Sequence, residues 1–166
     1  MFYQIVFAWI YSHLFEYVAH RYFLHNNKRF KSSFKNHFAN HHYISRKNAM
    51  YDENYESVLS SKFEMYSLLI TAIIHAPIGL LFPYSYLTLL TSLFVYYIIH
   101  KKAHTNVSWG RKWLPWHYAH HMGKNQHINW GVRLPIVDLL FGTSNFRKAK
   151  WYRYRSTTRS TRRDGG

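Results

Sequence analysis

Between Glu64 and Lys101 the chain carries no Lys, Arg, Asp or Glu. The run reads MYSLLITAIIHAPIGLLFPYSYLTLLTSLFVYYIIH, too long for one ordinary core helix and interrupted near Pro77, Gly79 and Pro83. It predicts two helices, about 63–81 and 84–104, joined by a very tight turn. A run of about 18 residues rising 1.5 Å each covers roughly 27 Å, close to the hydrocarbon thickness of a bilayer. Tyr84, Tyr86, Tyr96 and Tyr97 stand where a membrane helix meets the headgroups. Pro77 is a kink that a packed membrane helix tolerates. A further apolar stretch, about 2–19, lacks the basic flank and small-residue cleavage site of a removable leader, and predicts a third span. A hairpin buried inside a soluble helical protein is the competing reading.

Charge gives this pattern a direction. Arg21, Lys28, Arg29, Lys31 and Lys35 follow the first stretch, and the segment after Lys101 is also basic, while the turn at 80–86 has no charge. The positive-inside bias then puts 20–62 and 101–166 on the cytoplasmic side and the N-terminus outside. The length of 166 residues suits one domain, assigned to 1–146, with a basic C-terminal tail at 147–166. The tail reads as a solvated segment, with anionic headgroups as a further partner. Nucleic-acid binding through Trp151, Tyr152 and Tyr154 is not expected, since it would leave the apolar spans unexplained.

Composition adds the chemistry. The net charge is +15, yet 48% of residues are hydrophobic and 20% aromatic. There is no cysteine, which excludes disulfides, thiolate nucleophiles and thiolate-bound metals. Thirteen histidines against seven acidic residues leave imidazole as the main metal donor available. The acids Asp52, Glu53 and Glu56 lie together. The histidines fall into clusters: His20 and His25; His37, His41 and His42; His100 and His104; His117, His120 and His121, with His127 trailing. Residues three or four apart share a helix face. His37 can therefore point with His41, His100 with His104, and His117 with His120 and His121. His42 lies about 100° around from His41 and could serve a second ion. His20 and His25 are five apart, and their joint use needs a bend or helix end between them. Three imidazoles can hold one ion, so about ten imply two. Only His13 and His75 lie well inside the predicted spans; His100 and His104 stand at the cytoplasmic border of the last one. His13 is not expected to ligate, and His75 is expected to be packed or hydrogen-bonded. The fold class expected is all-α: a multi-pass integral membrane helical bundle with a cytoplasmic, histidine-rich helical cap.

The fragments EYVAHRYFLH (16–25), HFANHH (37–42), HKKAH (100–104), HYAHH (117–121) and NWGVRLPIVDLLFGT (129–143) resemble the fatty-acid hydroxylase / sterol desaturase superfamily of membrane di-iron, histidine-box enzymes, in the form of a small bacterial-type member. The resemblance covers nearly the whole chain. It implies that His20, His25, His37, His41, His42, His100, His104, His117, His120 and His121 bind two iron ions, with zinc able to take their place in purified or substituted protein. It implies supporting roles behind the ligands for Asn129 and Asp138, with His127 left open between ligand and support, and no catalytic residue outside the metal centre. Better-known members have four spans in two hairpins, against the three read here.

The implied activity is O2-dependent hydroxylation of a lipid C–H bond (fatty acyl, sterol or carotenoid-like), with desaturation on the same core as the alternative. Such chemistry needs an apolar channel, for which Phe2, Phe7, Phe15, Phe63, Phe94 and Tyr97 are candidate walls. No nicotinamide or flavin fingerprint is present, so an external electron donor, ferredoxin or cytochrome b5-like, is expected. A membrane metal-binding or transport protein is the reading of another class, but transport favours ligands near mid-membrane. A zinc hydrolase would need a His–Glu base pattern such as HExxH, which is absent.

Overall fold

The computed structural model describes residues 1–57 and 61–145, and among these every regular element is helical. The chain begins with α1 (Phe2–Val18), which continues into a π-helical turn (Ala19–Leu24). A short α2 (Lys31–Phe34) runs into a second π-helical segment (Lys35–His42) and then α3 (Tyr43–Lys47). A 3-10 turn (Glu53–Tyr55) precedes the hairpin of α4 (Lys62–Leu81) and α5 (Pro83–Thr105). Three shorter helices close the chain: α6 (Val107–Trp113), α7 (Pro115–Met122) and α8 (Ile136–Leu140). The basic tail at 147–166 lies outside the described residues.

The two hairpin helices predicted from the charge-free run are separated by the single residue Phe82. Pro83 starts α5 at a position where its missing N–H costs nothing. Gly79 lets the hairpin close: a Cβ there would sit 3.0 Å from the Tyr86 ring, whose hydroxyl donates to the Ala72 carbonyl at 3.2 Å. The hydroxyls of Ser67, Thr71, Thr88 and Thr91 donate to carbonyls four residues back at 2.7–2.9 Å, so these polar groups are satisfied within their own helices. α1 and α4 both pack on α5. Their outer faces carry Phe7, Ile10, Ile73, Ile74, Leu80 and Leu81, all exposed.

By length and composition, α4 is the one helix among the described residues suited to crossing a membrane. The three spans expected from sequence are therefore supported in this respect for α4 alone. α1 is 17 residues long, and α5 mixes its apolar residues with tyrosine, serine, threonine and a terminal Lys101-Lys102 pair.

The cap sits at the open end of the hairpin. One core there joins Met50, Ala103, Leu114 and Tyr118; a smaller one joins Tyr17, Trp130 and Val137. Asn106 caps α6 by accepting from Trp109 N–H at 3.0 Å, and Pro115 opens α7. Arg46 donates to the carbonyls of His121 and Gly123 at the end of α7, at 2.8 and 2.9 Å. Glu16 fastens α1 to the loop after α7: it accepts from Val132 N–H at 2.5 Å, Arg133 N–H at 3.0 Å and Arg133 Nε at 2.6 Å. Nη2 of Arg133 donates to Ser12 at 3.1 Å, so both members of this buried ion pair are further hydrogen-bonded.

Candidate metal centre

The ten histidines of the four sequence clusters all come together, and all ten are buried. They divide into two groups. His20, His25, His37, His42 and His120 form the first; His41, His100, His104 and His121 form the second; within each, the candidate donor atoms lie within 4.8 Å of one another. His117 stands beside the second group, its Nε2 3.2 Å from that of His104 and its ring 4.6 Å from that of His121.

The division differs from the one that α-helical spacing predicts. His37 and His41 part company, and His37 instead joins His42, five residues on. The cause is the π-helical winding of 35–42, in which i→i+5 bonds stack residues five apart. The same winding over 19–24, which ends at Leu24 with His25 as its cap, brings His20 over His25 with ring centroids 5.1 Å apart, so the helix end expected between them is present. Each adjacent pair, His41-His42 and His120-His121, contributes one ring to each group. In α7, His117 faces with His121, whereas His120 turns to the first group.

Hydrogen bonds at Nδ1 settle which nitrogen faces inward. A carbonyl can only accept, so His20, His104 and His120 each donate from Nδ1, to Trp130 at 2.5 Å, Met50 at 2.9 Å and Ile128 at 2.7 Å. His41 donates from Nδ1 to Asp52 at 2.7 Å and His100 to Glu64 at 2.9 Å. All five therefore present the lone pair of Nε2 to the interior. To reach His104, the chain adopts left-handed backbone at Ala49 and Met50 (φ 55° and 87°), an uncommon conformation for side-chain-bearing residues.

The inward nitrogens fit metal ions. His25, His41, His42, His100, His117, His120 and His121 each keep at least one buried ring nitrogen without a hydrogen-bond partner. Buried polar atoms left in this state are costly, and one such cluster in a native fold asks for a ligand. Two imidazoles bound at right angles to one ion, at about 2.1 Å each, place their nitrogens about 3 Å apart. The separations of His20 from His37 (2.9 Å), His37 from His42 (3.3 Å) and His104 from His117 (3.2 Å), all Nε2 to Nε2, match that edge. The two clusters are thus consistent with a di-iron site.

Burial keeps several of these rings neutral, the form that binds metal. It lowers His20 from 6.5 to about 3, and holds His37, His42, His117, His120 and His121 well below their ordinary value, with neighbouring histidines adding to the effect. Burial alone would raise Asp52, but the His41 hydrogen bond and the Asn54 N–H hold its carboxyl below the usual range.

Asp138 accepts from the N–H groups of Trp130 and Gly131 at 2.9 and 2.7 Å and from the Thr143 hydroxyl at 2.7 Å. It so anchors the segment whose Trp130 carbonyl meets His20. Gly131 allows the close turn, since a Cβ there would lie 2.4 Å from the Leu134 carbonyl. Asn129, in left-handed backbone at φ 58°, accepts from Asn145 N–H at 2.8 Å and donates its own N–H to Thr143 at 3.0 Å. His127 is exposed and outside both groups, stacked on Phe38 with centroids 5.6 Å apart. His75 is hydrogen-bonded, to Tyr11 at 2.9 Å and the Thr71 carbonyl at 2.8 Å, and His13 packs edge-on against Trp9.

Asp52 and Glu64 carry roles that sequence reading did not assign. For Glu64 a signal existed: it lies eighteen residues before Phe82 and His100 eighteen after, so a tight antiparallel hairpin sets them side by side. For Asp52 there was none beyond its being an acid in a basic segment. The Glu16–Arg133 pair was likewise missed.

A cavity of about 320 Å3 reaches these histidines. Leu89, Leu93, Phe15 and Phe63 line it among the helices, and His20, His37, His41 and His100 line it in the cap. Of the six candidate aromatic walls, some of which were expected to line the channel, Phe15 and Phe63 do so; Phe2, Phe7 and Phe94 point outward and Tyr97 is buried elsewhere, because α1 and α5 turn those faces away from the gap. A family model described as Fatty acid hydroxylase matches residues 5–143. No curated protein and no solved structure matches the chain.

Proposed function

Because the chain belongs to the fatty acid hydroxylase family and is a metal-dependent oxidoreductase, we propose that it inserts oxygen into a C–H bond of a membrane lipid, using two iron ions and O2. The observation that carries this reading is the meeting of two inward-facing histidine clusters with one largely apolar cavity. His20, His25, His37, His42 and His120 hold one ion, and His41, His100, His104, His121 and His117 the other. The chemistry that iron supplies here, when bound, is activation of O2 and removal of hydrogen from an unactivated C–H bond.

The chain's own residues do the positioning. Along α5 the cavity extends from Tyr86 to His100, fourteen residues or roughly 21 Å of helix, enough for a long hydrocarbon tail. Phe15, Leu89 and Leu93 grip that tail by apolar contact, so the carbon presented to the histidines is set by how deep the tail reaches. The exposed apolar faces of α1, α4 and α5 are covered by lipid, with the cap on the cytoplasmic side where the basic segments lie. Electrons arrive from a separate carrier, a ferredoxin or cytochrome b5-like protein, drawn to the basic face by charge.

The test is lipid profiling of cells with and without the intact protein under isotopically labelled O2. A product gaining one labelled oxygen supports hydroxylation. A product lacking two hydrogens makes the enzyme a desaturase, and an unchanged lipid profile overturns the reading.

A further inference from the structure

Ten neutral imidazoles supply no charge against two divalent ions, so the nearby anions decide how evenly the ions are held. Among the described residues, the carboxylates bonded to the ten histidines both belong to one cluster. Asp52 meets His41 at 2.7 Å and Glu64 meets His100 at 2.9 Å, with side chains only 1% and 11% exposed. In the other cluster, His20 and His120 meet the uncharged carbonyls of Trp130 and Ile128. Asp138 is fully buried nearby but reaches that cluster only through the backbone of Trp130 and Gly131. A buried cation held by neutral donors alone keeps its full charge in the interior, with no anion to offset it. A carboxylate one imidazole away offsets part of that charge, and also makes the ring a stronger donor and fixes its orientation.

We propose that Asp52 and Glu64 make the two metal positions unequal. The ion among His41, His100, His104 and His121 is retained after the ion among His20, His25, His37, His42 and His120 has left. This rests on the two-metal reading above. Asp52 and Glu64 are positioning residues that act through His41 and His100.

The experiment loads the full-length protein in detergent with ferrous iron under argon, then titrates it with a water-soluble chelator while counting iron retained and recording its Mössbauer spectrum. The native protein should release its iron in two steps of one ion each. His25→Ala should abolish the early step alone, which assigns that step to its cluster. Asp52→Asn and Glu64→Gln keep an oxygen to accept from Nδ1 but remove the charge. Each should weaken the late step about 10- to 100-fold and leave the early one in place. Asp52→Glu, which restores the charge, should recover part of the loss. Release of both ions in one step from the native protein overturns the inference, as does a shift of the early step in the Asn and Gln variants. A native protein that takes up no iron overturns the two-metal reading as well, so the two failures are told apart.

Discussion

In the cap and at the open end of the hairpin that meets it, residues from separate stretches hold one another: Asp52 with His41, Glu64 with His100, the Met50 carbonyl with His104, Glu16 with Arg133. In the α4–α5 hairpin, Ser67, Thr71, Thr88 and Thr91 bond only to carbonyls of their own helices, and the outer faces are bare hydrocarbon. The difference teaches where precision is kept. A metal centre needs each ring fixed in direction as well as place, which takes a partner on the far nitrogen. A sheath for a hydrocarbon tail needs only apolar walls of the right length. Substitutions should therefore be severe in the cap and around the histidines at the hairpin's open end, and mild along the rest of the hairpin unless they add charge.

The largest effect expected is on His120, fully buried and held by Ile128. His120→Ala should lower lipid oxidation by at least about a hundredfold with helicity unchanged by circular dichroism, since removal of even a supporting partner of a ligand costs 10- to 100-fold. Next comes the buried ion pair. Glu16→Gln leaves Arg133 charged without its partner and should destabilise the protein by about 3–5 kcal/mol, read from its unfolding midpoint in detergent. Ile74, 68% exposed on α4, sharpens the comparison from the other side. Ile74→Lys should cost about 2.5–3.5 kcal/mol of membrane insertion if that face meets lipid, visible as protein lost from the membrane fraction. Unchanged fractionation would count against the lipid-facing assignment.

A graded effect concerns pH in the metal-free protein. His20, His37 and His120 have folded values below the unfolded 6.5, so the unfolded chain binds more protons as pH falls. Their contribution to stability is complete above pH 6.5 and declines below it, for His20 over the window from 6.5 down to about 3. The unfolding midpoint of metal-free protein should fall between pH 7 and 5, and a rise would contradict the neutral, buried state of these rings.

How much of this was legible follows the same divide. The hairpin was plain because absence of charge is a local signal: helices expected at 63–81 and 84–104 are found at Lys62–Leu81 and Pro83–Thr105. Histidine spacing pointed to a metal centre, but the partition into clusters was not legible. It depends on π-helical winding at 19–24 and 35–42, and nothing in those residue types announces a change from four to five residues per stacking step. Asp52 reaches His41 only because the chain turns back at Ala49 and Met50 in left-handed backbone, which no glycine marks.

The central claim is that two separate histidine clusters each hold one ion. Iron counted per chain, after anaerobic loading and desalting in detergent, tests it most directly. The native protein should retain two ions, and His25→Ala and His104→Ala one each, lost from different clusters. Retention of a single ion by the native protein, or loss of both ions in either variant with the fold intact, would contradict the account.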